Sequence, residues 1–519
     1  MSGLVRSLLP PLVLVAVLAA AGCTGSTTPS AEGTADGSSI VLADATEPTT
    51  LNPLLGYGRD GVSKLYDGLV EHRADRTLRP RLAADLPQPS ADGLSWTVRL
   101  RDDVKFTDGT TFGPEDVVAT YRALLDPALG ATERSAFPVL TGVEQLDVHT
   151  VRFALAKPWA AFPHQLVLGV LPSEALNGVA LKDVKPVGTG PYKLADWRKG
   201  DRMVLESNPA HFGGEPKIRK LTVVFVADDN TRAQRLQGGE FDGAELPPRL
   251  ASGFTNTGGM RVVTHRSTDL RGITLPTGPV TGDPALRMAL NHAVNRKGIV
   301  DNLLGGKGSP ASTPIPDTLP EYYDPTAVFA YDKAQAELLL DQAGWVRGAD
   351  GLRARDGVPA RFTLMFPTGD VVRADLATAF AAEAKAVGVD VQLAGLSWEA
   401  ITPRLGADAL LYGGGSPFDP DLTTYPALHT GNPWGYSNPQ VDALLDTGRT
   451  LLDPAQRAAA YRQLQRAYLA APAMVVVAAV QHTYVVRENW TGYQEVVDPY
   501  THGALSWGPW WNLELWTPR

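Results

Sequence analysis

The sequence predicts an α/β protein with two or three domains. Its 519 residues exceed what one hydrophobic core usually organises, and 44% of them are hydrophobic, enough for a large core. Apolar residues alternate with polar ones from Trp96 to Leu100, which predicts a strand with one buried face. Apolar residues then recur at helical spacing from Pro114 to Leu124. A strand followed by a helix indicates an α/β module.

Local signals place the ends of these elements. Asp108-Gly109 is a strong hairpin signal, because both central positions of that turn favour positive φ. Pro114 suits the first position of a helix, and the acidic residues after it lie near the positive end of the helix dipole. Gly188 and Gly190 are expected to permit a tight turn before a strand that starts at Tyr192. We therefore expect these glycines to shape the fold rather than to bind a ligand.

The second half of the chain repeats this alternation. The segment from Ala336 ends in Gly344, which predicts a buried helix with a glycine C-cap. Residues 371–401 predict a helix, a glycine stop, a strand from Val389 to Leu393, and then Trp398.

The N-terminus carries an export signal. Arg6 precedes an apolar run from Leu8 to Ala21, which is shorter than the ~20 residues of a spanning helix. Cys23, the only cysteine, follows small residues and resembles the acylated cysteine of a bacterial lipobox, although Ala20 stands where leucine is usual. We predict a lipoprotein signal peptide at 1–22, and a lipid anchor with a flexible linker at 23–39. An ordinary signal peptide is the alternative.

Composition and motifs exclude several functions. The net charge is −9, and the charged residues are spread along the chain instead of forming blocks of one sign, so no basic surface for nucleic acid is expected. The nine histidines form no HExxH pattern and do not pair with cysteine, and we predict no cofactor. "GGKGSP" at 305–310 lacks the spacing of a phosphate loop, and no G-x-S-x-G elbow occurs. An exported hydrolase stays an unsupported alternative.

Seven ordered motifs carry a resemblance to the extracytoplasmic solute-binding proteins of peptide, nickel and opine ABC importers (family 5). They are "LNPLL" (51–55), "YDGLV" (66–70), "LRDDVKFTDGTTFGPEDVVATY" (100–121), "VGTGPYKL" (187–194), "ALRMALNHAVNRKGIV" (285–300), "AELLLDQAGW" (336–345) and "GYSNPQVDALL" (435–445). The resemblance implies a periplasmic-binding-protein type II fold, with two hinged α/β lobes and a domain inserted in the first. It implies an ABC permease and its ATPase subunits as partners, with the lipid anchor holding a monomeric receptor at the extracytoplasmic face of the membrane.

The same resemblance assigns domain limits. Lobe I is expected to comprise 40–57, 178–270 and 484–519, with an inserted subdomain at 58–177 and lobe II at 271–483. We place the crossings between lobes near Arg271 to Pro276 and near Thr483. The lobes should rotate about these crossings when a ligand bridges the cleft.

Ligand contacts are expected mainly in the loop at 409–436. Peptide binders of the family carry Trp-x-Ala-Asp-Tyr-x-Asp-Pro there, and the first Asp pairs with the peptide ammonium group. Alignment on Asp419 places Ser416 at that acid and Gly413 at the tryptophan, so both contacts are missing and the glycine should leave room where an indole would stack. The loop is closer to that of nickel-type members, in which a histidine follows. His429 lies near that place, Arg134 and Phe137 resemble an upstream pair, and Val170 replaces a second arginine.

The predicted ligand-binding residues are Tyr57, Arg134, Phe137, Trp398, Gly415, Ser416, Phe418, Asp419 and His429, with His429 a metal ligand only if the solute is a metal chelate. Three of them have structural alternatives. Asp419 suits a helix cap, His429 a polar loop residue, and Trp398 a core residue. The favoured solute is a short peptide or a peptide-like molecule, followed by a nickel or other metal chelate. A sensor that binds the same solutes is a further alternative.

Overall fold

The computed structural model describes residues 38–519. The predicted signal peptide, Cys23 and the linker as far as residue 37 lie outside these described residues. From Ser38 to the C-terminus, no helix combines the length and the apolar character needed to cross a membrane.

Two large sheets organise the described chain. The first has seven strands, and Ser39–Asp44 lies in its interior, parallel to both neighbours. From edge to edge its strands are Met260–His265, His482–Arg487, Gly243–Glu245, Ser39–Asp44, Lys220–Phe225, Arg202–Ser207 and Tyr192–Arg198. Helices Asp229–Gln237 and Pro248–Ala251 accompany it. Sequential strand and helix units with buried parallel pairs are the α/β arrangement that the sequence predicts.

The second sheet has six strands and carries most of the helices. In order, its strands are Gly308–Pro310, Met474–Val480, Leu270–Thr274, Ala409–Gly414, Arg361–Pro367 and Asp390–Leu396. Its helices are Pro284–Ala293, Arg296–Gly298, the π-helix Ile299–Leu303, Lys333–Gln342, Val371–Ala386, Trp398–Ile401, Asp421–Leu428, Pro439–Thr450 and Pro454–Ala470. The strand Met474–Val480 is buried along its whole length, as expected for a strand covered on both faces.

A smaller sheet lies in the segment between the first two strands of the seven-stranded sheet. Its strands run in the order Gln88–Pro89, Ser95–Arg99, Thr150–Leu155 and Leu140–Asp147. The predicted helix is confirmed as Pro114–Leu125, with proline in its first turn. The Asp116 carboxylate accepts the Gly113 N–H at 2.8 Å, which closes the start of the helix.

Short elements complete the fold. The remaining strands pair as Val70–His72 with Leu78–Pro80, Val346–Arg347 with Arg353–Arg355 and Val358–Pro359, and Trp490–Thr491 with Thr517–Pro518. One further short α-helix is Phe162–Gln165. Single 3₁₀ turns lie at Pro53–Leu55, Pro127–Leu129, Thr132–Ala136, Ser173–Leu176, Leu181–Asp183, Ser252–Phe254, Thr402–Arg404 and Leu513–Leu515.

The predicted glycines have two different roles. Gly344 adopts a φ of +79° two residues after the end of the helix Lys333–Gln342, which confirms the glycine cap. Gly188 and Gly190 do not adopt positive φ. A Cβ atom at either position would lie within 2.5 Å of the Leu65 backbone, so these glycines are needed for close packing of two chain segments rather than for a tight turn.

The chain passes twice between the two large sheets. The first crossing is at 266–269, since His265 belongs to the seven-stranded sheet and Leu270 to the six-stranded sheet. It therefore ends before the predicted segment Arg271 to Pro276, because Arg271 already pairs with strands on both sides. The second crossing is at Gln481, just before the predicted Thr483. The two crossings are held together, because the Ser267 hydroxyl donates to the Val480 carbonyl oxygen.

Candidate functional site

A cavity of about 460 Å³ lies between the inserted segment and the six-stranded lobe. One wall comes from the chain between the first two strands of the seven-stranded sheet, the opposite wall from the loops and helices after Ala409–Gly414, and a third from the C-terminal segment. Its lining residues are Arg59, Asp60, His72, Ser135, Ala136, Pro138, Trp159, His164, Gln165, Val167, Tyr412, Gly415, Ser416, Phe418, Asp421, Leu422, Thr423, Tyr425, Pro426, Arg449, Tyr500 and Thr501. Such a cavity has the size and the aromatic character of a site for a small solute.

Three predicted residues lie on this cavity, all in the loop after Ala409–Gly414. They are Gly415, Ser416 and Phe418. The Ser416 N–H donates to the Thr423 hydroxyl at 2.9 Å, which folds the loop back on the following helix. A Cβ atom on Gly415 would lie 1.8 Å from the carbonyl oxygen of Thr268, so only glycine lets the loop pass the crossing between the sheets.

Asp419 is buried next to this loop and has a structural role. Its carboxylate accepts the Asp421 N–H at 2.8 Å at the start of the helix and one guanidinium N–H of Arg457 at 2.6 Å. Burial would raise the pKa of Asp419, but Arg457 outweighs burial and holds that pKa below its ordinary value. The helix begins one residue later than predicted, with Pro420 instead of Asp419 at its N-cap position, and Asp419 accepts the first helical N–H from the residue before that cap. Asp419 is not among the cavity-lining residues.

Two other predicted residues are buried in the core instead of lining the cavity. The Tyr57 hydroxyl donates to the Ser63 carbonyl oxygen at 2.6 Å, which satisfies it internally. Phe137 packs edge-on against Tyr121, with ring centroids 5.8 Å apart.

Arg134 and Trp398 are exposed. Arg134 does not line the cavity, whereas the next two residues in the chain, Ser135 and Ala136, do. Trp398 is 49% exposed, with the Arg373 guanidinium 5.8 Å from its ring, so neither the core nor the cavity contains it.

His429 is not among the cavity-lining residues. Its ring stacks on Tyr425 at 4.3 Å, and its Nδ1–H donates to the Thr430 carbonyl oxygen at 3.0 Å. Within residues 38–519, no group of three or more histidine, cysteine, aspartate and glutamate side chains is placed to hold a metal ion.

The position that peptide binders fill with tryptophan is closed here. A Cβ atom on Gly413 would lie 2.5 Å from the Arg373 guanidinium, 2.7 Å from the Tyr500 ring and 2.9 Å from Arg271. The expectation that this glycine leaves room for a stacked group is wrong, because two arginines and a tyrosine occupy that space. Val170, at the place of a second arginine, is fully buried.

Asp60 is the functional candidate that the sequence did not single out. It lines the cavity, and no group in the described chain donates a hydrogen bond to its carboxylate. Burial raises the pKa of Asp60, Arg59 opposes this rise and Glu133 adds to it, and together they bring the pKa to about 6. Glu133 engages the adjacent Arg59, with one Nε–Oε1 distance of 3.0 Å. The cavity thus contains a carboxylate that is mostly ionised at pH 7 and becomes protonated near pH 6.

Direct contacts join the inserted segment to the second lobe beside the cavity. The Trp159 indole N–H donates to the Asp421 carboxylate at 2.8 Å, and Arg449 pairs with the same carboxylate at 3.0 Å. The Ala160 N–H donates to the Arg449 carbonyl oxygen at 2.9 Å. The Arg449 guanidinium also lies 3.2 Å from the centre of the Tyr425 ring, a favourable cation–π position. These contacts hold the two walls of the cavity against each other.

A buried ionic network lies at the crossings. Asp498 accepts hydrogen bonds from His265 at 2.9 Å, from His482 at 3.1 Å and from the Tyr484 hydroxyl at 2.5 Å. His502 stacks on His482 at 3.5 Å and pairs with Glu245 at 2.9 Å. Burial lowers the pKa of His502, but Glu245 and the nearby carboxylates outweigh burial and raise it to about 10. His502 is therefore a buried cation at neutral pH.

Comparisons with known proteins identify relatives among the extracellular solute-binding proteins. Residues 77–435 match the family described as bacterial extracellular solute-binding proteins, family 5 Middle. Protein XP55 of Streptomyces lividans is 41% identical over 97% of this chain and 96% of its own. The oligopeptide-binding protein AppA of Bacillus subtilis is 27% identical over 87% of this chain and 89% of its own.

A solved structure gives the same result for the fold. NikZ from Campylobacter jejuni, crystallised in complex with Ni(L-His), superposes with a TM-score of 0.85 at 26% identity, covering 93% of this chain and 99% of that one. The two chains share the fold of a type II periplasmic binding protein over nearly their whole length.

Proposed function

This chain belongs to the family 5 bacterial extracellular solute-binding proteins, and from that premise we propose that it is the lipid-anchored receptor of an ABC importer for short peptides or peptide-like solutes. Cys23 is the proposed anchor, the permease with its ATPase subunits the proposed partner, and a monomer the proposed state. The domain limits derived from the sequence are part of the proposal, with the crossings moved to 266–269 and Gln481. The solute is captured as the lobes rotate about these crossings.

The cavity between the lobes carries this proposal. It is bounded on both sides by elements that meet through the contacts of Trp159 and Arg449 with Asp421. A solute that touches both walls therefore stabilises the closed arrangement, which is how binding drives closure.

Asp60 supports a ligand with a cationic group. Ser416 brings only a hydroxyl to the place where peptide binders have an acid, whereas Asp60 brings a carboxylate without a hydrogen-bond partner. A peptide ammonium group entering the cavity loses water and needs a charged acceptor in exchange. We assign that role to Asp60, with Tyr425 and Phe418 providing aromatic surface in the same cavity.

A metal chelate is the second candidate, and His164 favours it. This imidazole lines the cavity, and the relative NikZ was solved with Ni(L-His). The proposed contact moves from His429 to His164. Calorimetric titration with nickel plus L-histidine tests it: this candidate requires binding that His164→Ala abolishes and His429→Ala preserves.

Binding without catalysis fits the cavity better than hydrolysis. Hydrolysis by a serine or threonine needs a nucleophile hydrogen-bonded to a base. Ser416 and His164 both line the cavity, but they are not paired as nucleophile and base. The Ser416 hydroxyl accepts a weak hydrogen bond from the Phe418 N–H, and His164 is hydrogen-bonded to His72 instead of to a hydroxyl. This arrangement favours a receptor over the exported hydrolase.

We expect Asp60→Asn to weaken binding of free di- to tetrapeptides roughly ten- to a hundredfold, the equivalent of a charge-assisted hydrogen bond of ~1.5 to 3 kcal/mol. N-acetylated peptides, which have no ammonium group, should lose little. In the wild type, affinity for free peptides should fall as pH drops below about 6, because protonation of Asp60 removes its charge. Isothermal titration calorimetry between pH 5 and pH 8 measures both effects.

Asp85→Asn is the matched control, because Asp85 is an exposed acid paired with Arg99 away from the cavity. Its peptide affinity and pH profile should equal those of the wild type. Equal losses for free and acetylated peptides in Asp60→Asn would contradict the ammonium assignment.

A further inference from the structure

A second cavity of about 470 Å³ adjoins the first. Like the first, it lies between the inserted segment and the six-stranded lobe, with Arg76 and Leu86 on one side and Glu321 and Tyr322 on the other. Arg76 donates to the Thr318 carbonyl oxygen at 2.8 Å and so bridges the two sides of this second cavity. The lining residues common to both cavities are His164 and Phe418.

A stack of rings separates the two cavities. The Phe418 ring lies face to face with His72, with centroids 3.4 Å apart and planes 6° apart. His72 Nε2 is 3.1 Å from His164 Nδ1, and the edge of Trp507 packs on Phe418 at 5.1 Å. Phe418 is 7% exposed and His72 3% exposed, so the stacked rings are buried where the two cavities share lining residues.

The imidazole pair is joined edge to edge. Its ring planes are 13° apart, and its centroid separation of 5.3 Å is what a nearly linear N–H···N bond between coplanar rings requires. One imidazole must donate and the other accept, so the accepting ring is uncharged. Burial lowers the pKa of both histidines, in agreement with an uncharged pair at neutral pH.

The partition is assembled from opposite sides of the cleft. Phe418 comes from the loop after Ala409–Gly414, whereas His72 and His164 belong to the inserted segment. The stack therefore forms only when the two sides close on each other, and it adds to the stability of the closed state. A solute that occupies both cavities at once has to displace the Phe418 ring and loses that stabilisation.

We propose that the Phe418–His72–His164 stack is a partition that limits the bound peptide to the first cavity and thereby selects short ligands. This inference rests on the proposed peptide-binding function and adds a determinant of ligand length to it. Short peptides close the cleft with the stack intact. Longer peptides must enter the second cavity through the position of the Phe418 ring, so they favour closure less and bind more weakly.

Native mass spectrometry with a peptide library tests the partition. The library is an equimolar mixture of free alanine-based peptides of two to eight residues. Wild type should retain the members of two to four residues, whereas Phe418→Ala should enrich members of five residues or more by roughly tenfold, the factor that corresponds to ~1.4 kcal/mol. Phe418→Leu keeps apolar bulk at this position and should shift the distribution in the same direction to a smaller extent.

Tyr331→Ala is the control, because Tyr331 is an exposed aromatic residue of the same lobe that lines neither cavity. It should retain the wild-type distribution. Identical length distributions in wild type, Phe418→Ala and Phe418→Leu would overturn the partition, as would wild-type retention of the longest members equal to that of the shortest. Retention of no peptide by any variant would instead overturn the peptide function and, with it, this inference.

Discussion

Asp419→Asn is expected to lower the stability of the six-stranded lobe by ~3–5 kcal/mol, the usual effect of removing one partner from a buried ion pair. Asp419 and its partner Arg457 are both almost completely buried, with side chains 3% and 5% exposed. Asparagine keeps the size of the side chain but leaves the Arg457 guanidinium without a counter-charge. The expected result is a large fall in the thermal unfolding midpoint and in the denaturant midpoint.

Asp85→Asn provides the comparison for this effect too, because Asp85 and Arg99 form an ion pair in which both side chains are more than half exposed. Exposed pairs contribute ~0–1 kcal/mol, so this variant should unfold close to the wild type. If the two variants shift the unfolding midpoints equally, the buried pair is not the structural element described above.

The second large effect is a loss of stability as pH rises from about 6.5 to about 10. The pKa of His502 is raised to about 10, so the folded state keeps a proton that the unfolded state releases near 6.5. A raised pKa contributes stability that is fully present below the unfolded pKa and lost as pH rises through the folded pKa. A tenfold difference in proton affinity between the two states corresponds to about 1.4 kcal/mol, so His502 contributes several kcal/mol.

His502→Gln separates this contribution from other titrations. Glutamine is uncharged, so the variant should be less stable than the wild type at pH 6 and should approach it near pH 10. Thermal unfolding across this pH range gives both curves. Parallel curves for the two proteins would show that His502 is not charged beside Glu245 and the carboxylates of Asp498 and Asp269, the acids that face it.

Local signals predict much of the fold, because single elements depend on neighbouring residues. The helix Pro114–Leu125 has its proline, its acidic first turn and its apolar spacing within one segment. The strand predicted at Val389 to Leu393 extends over Asp390–Leu396. The positions of the two crossings are predicted less accurately than the helices and strands. The sequence around Arg271 is compatible with an extended linker and with a strand alike. Only the pairing of Arg271 with two neighbouring strands shows that it belongs to the second sheet.

The site is less predictable, because it is built from segments distant in the chain. Gly415, Ser416 and Phe418 belong to one loop, and the motif beside Asp419 locates them together. Asp60 stands in a glycine-flanked polar stretch that reads as an exposed turn, and only docking of the inserted segment against the second lobe brings it to the cavity.

The two cavity histidines illustrate the same limit. His72 and His164 are far apart in the chain, and no spacing rule joins them, although they form one hydrogen-bonded pair. His429 is predicted because nickel-type members have a histidine near that place in the sequence. Such a motif does not determine which way the histidine ring faces.

Native mass spectrometry of the purified 24–519 fragment, incubated with free di- to tetrapeptides, tests whether one short peptide is captured between the lobes. The wild type should retain one peptide per chain. Ser416→Trp should retain none, because its indole would fill the cavity that Ser416 lines. A wild-type chain that retains no peptide, or a Ser416→Trp chain that retains as much as the wild type, would contradict it.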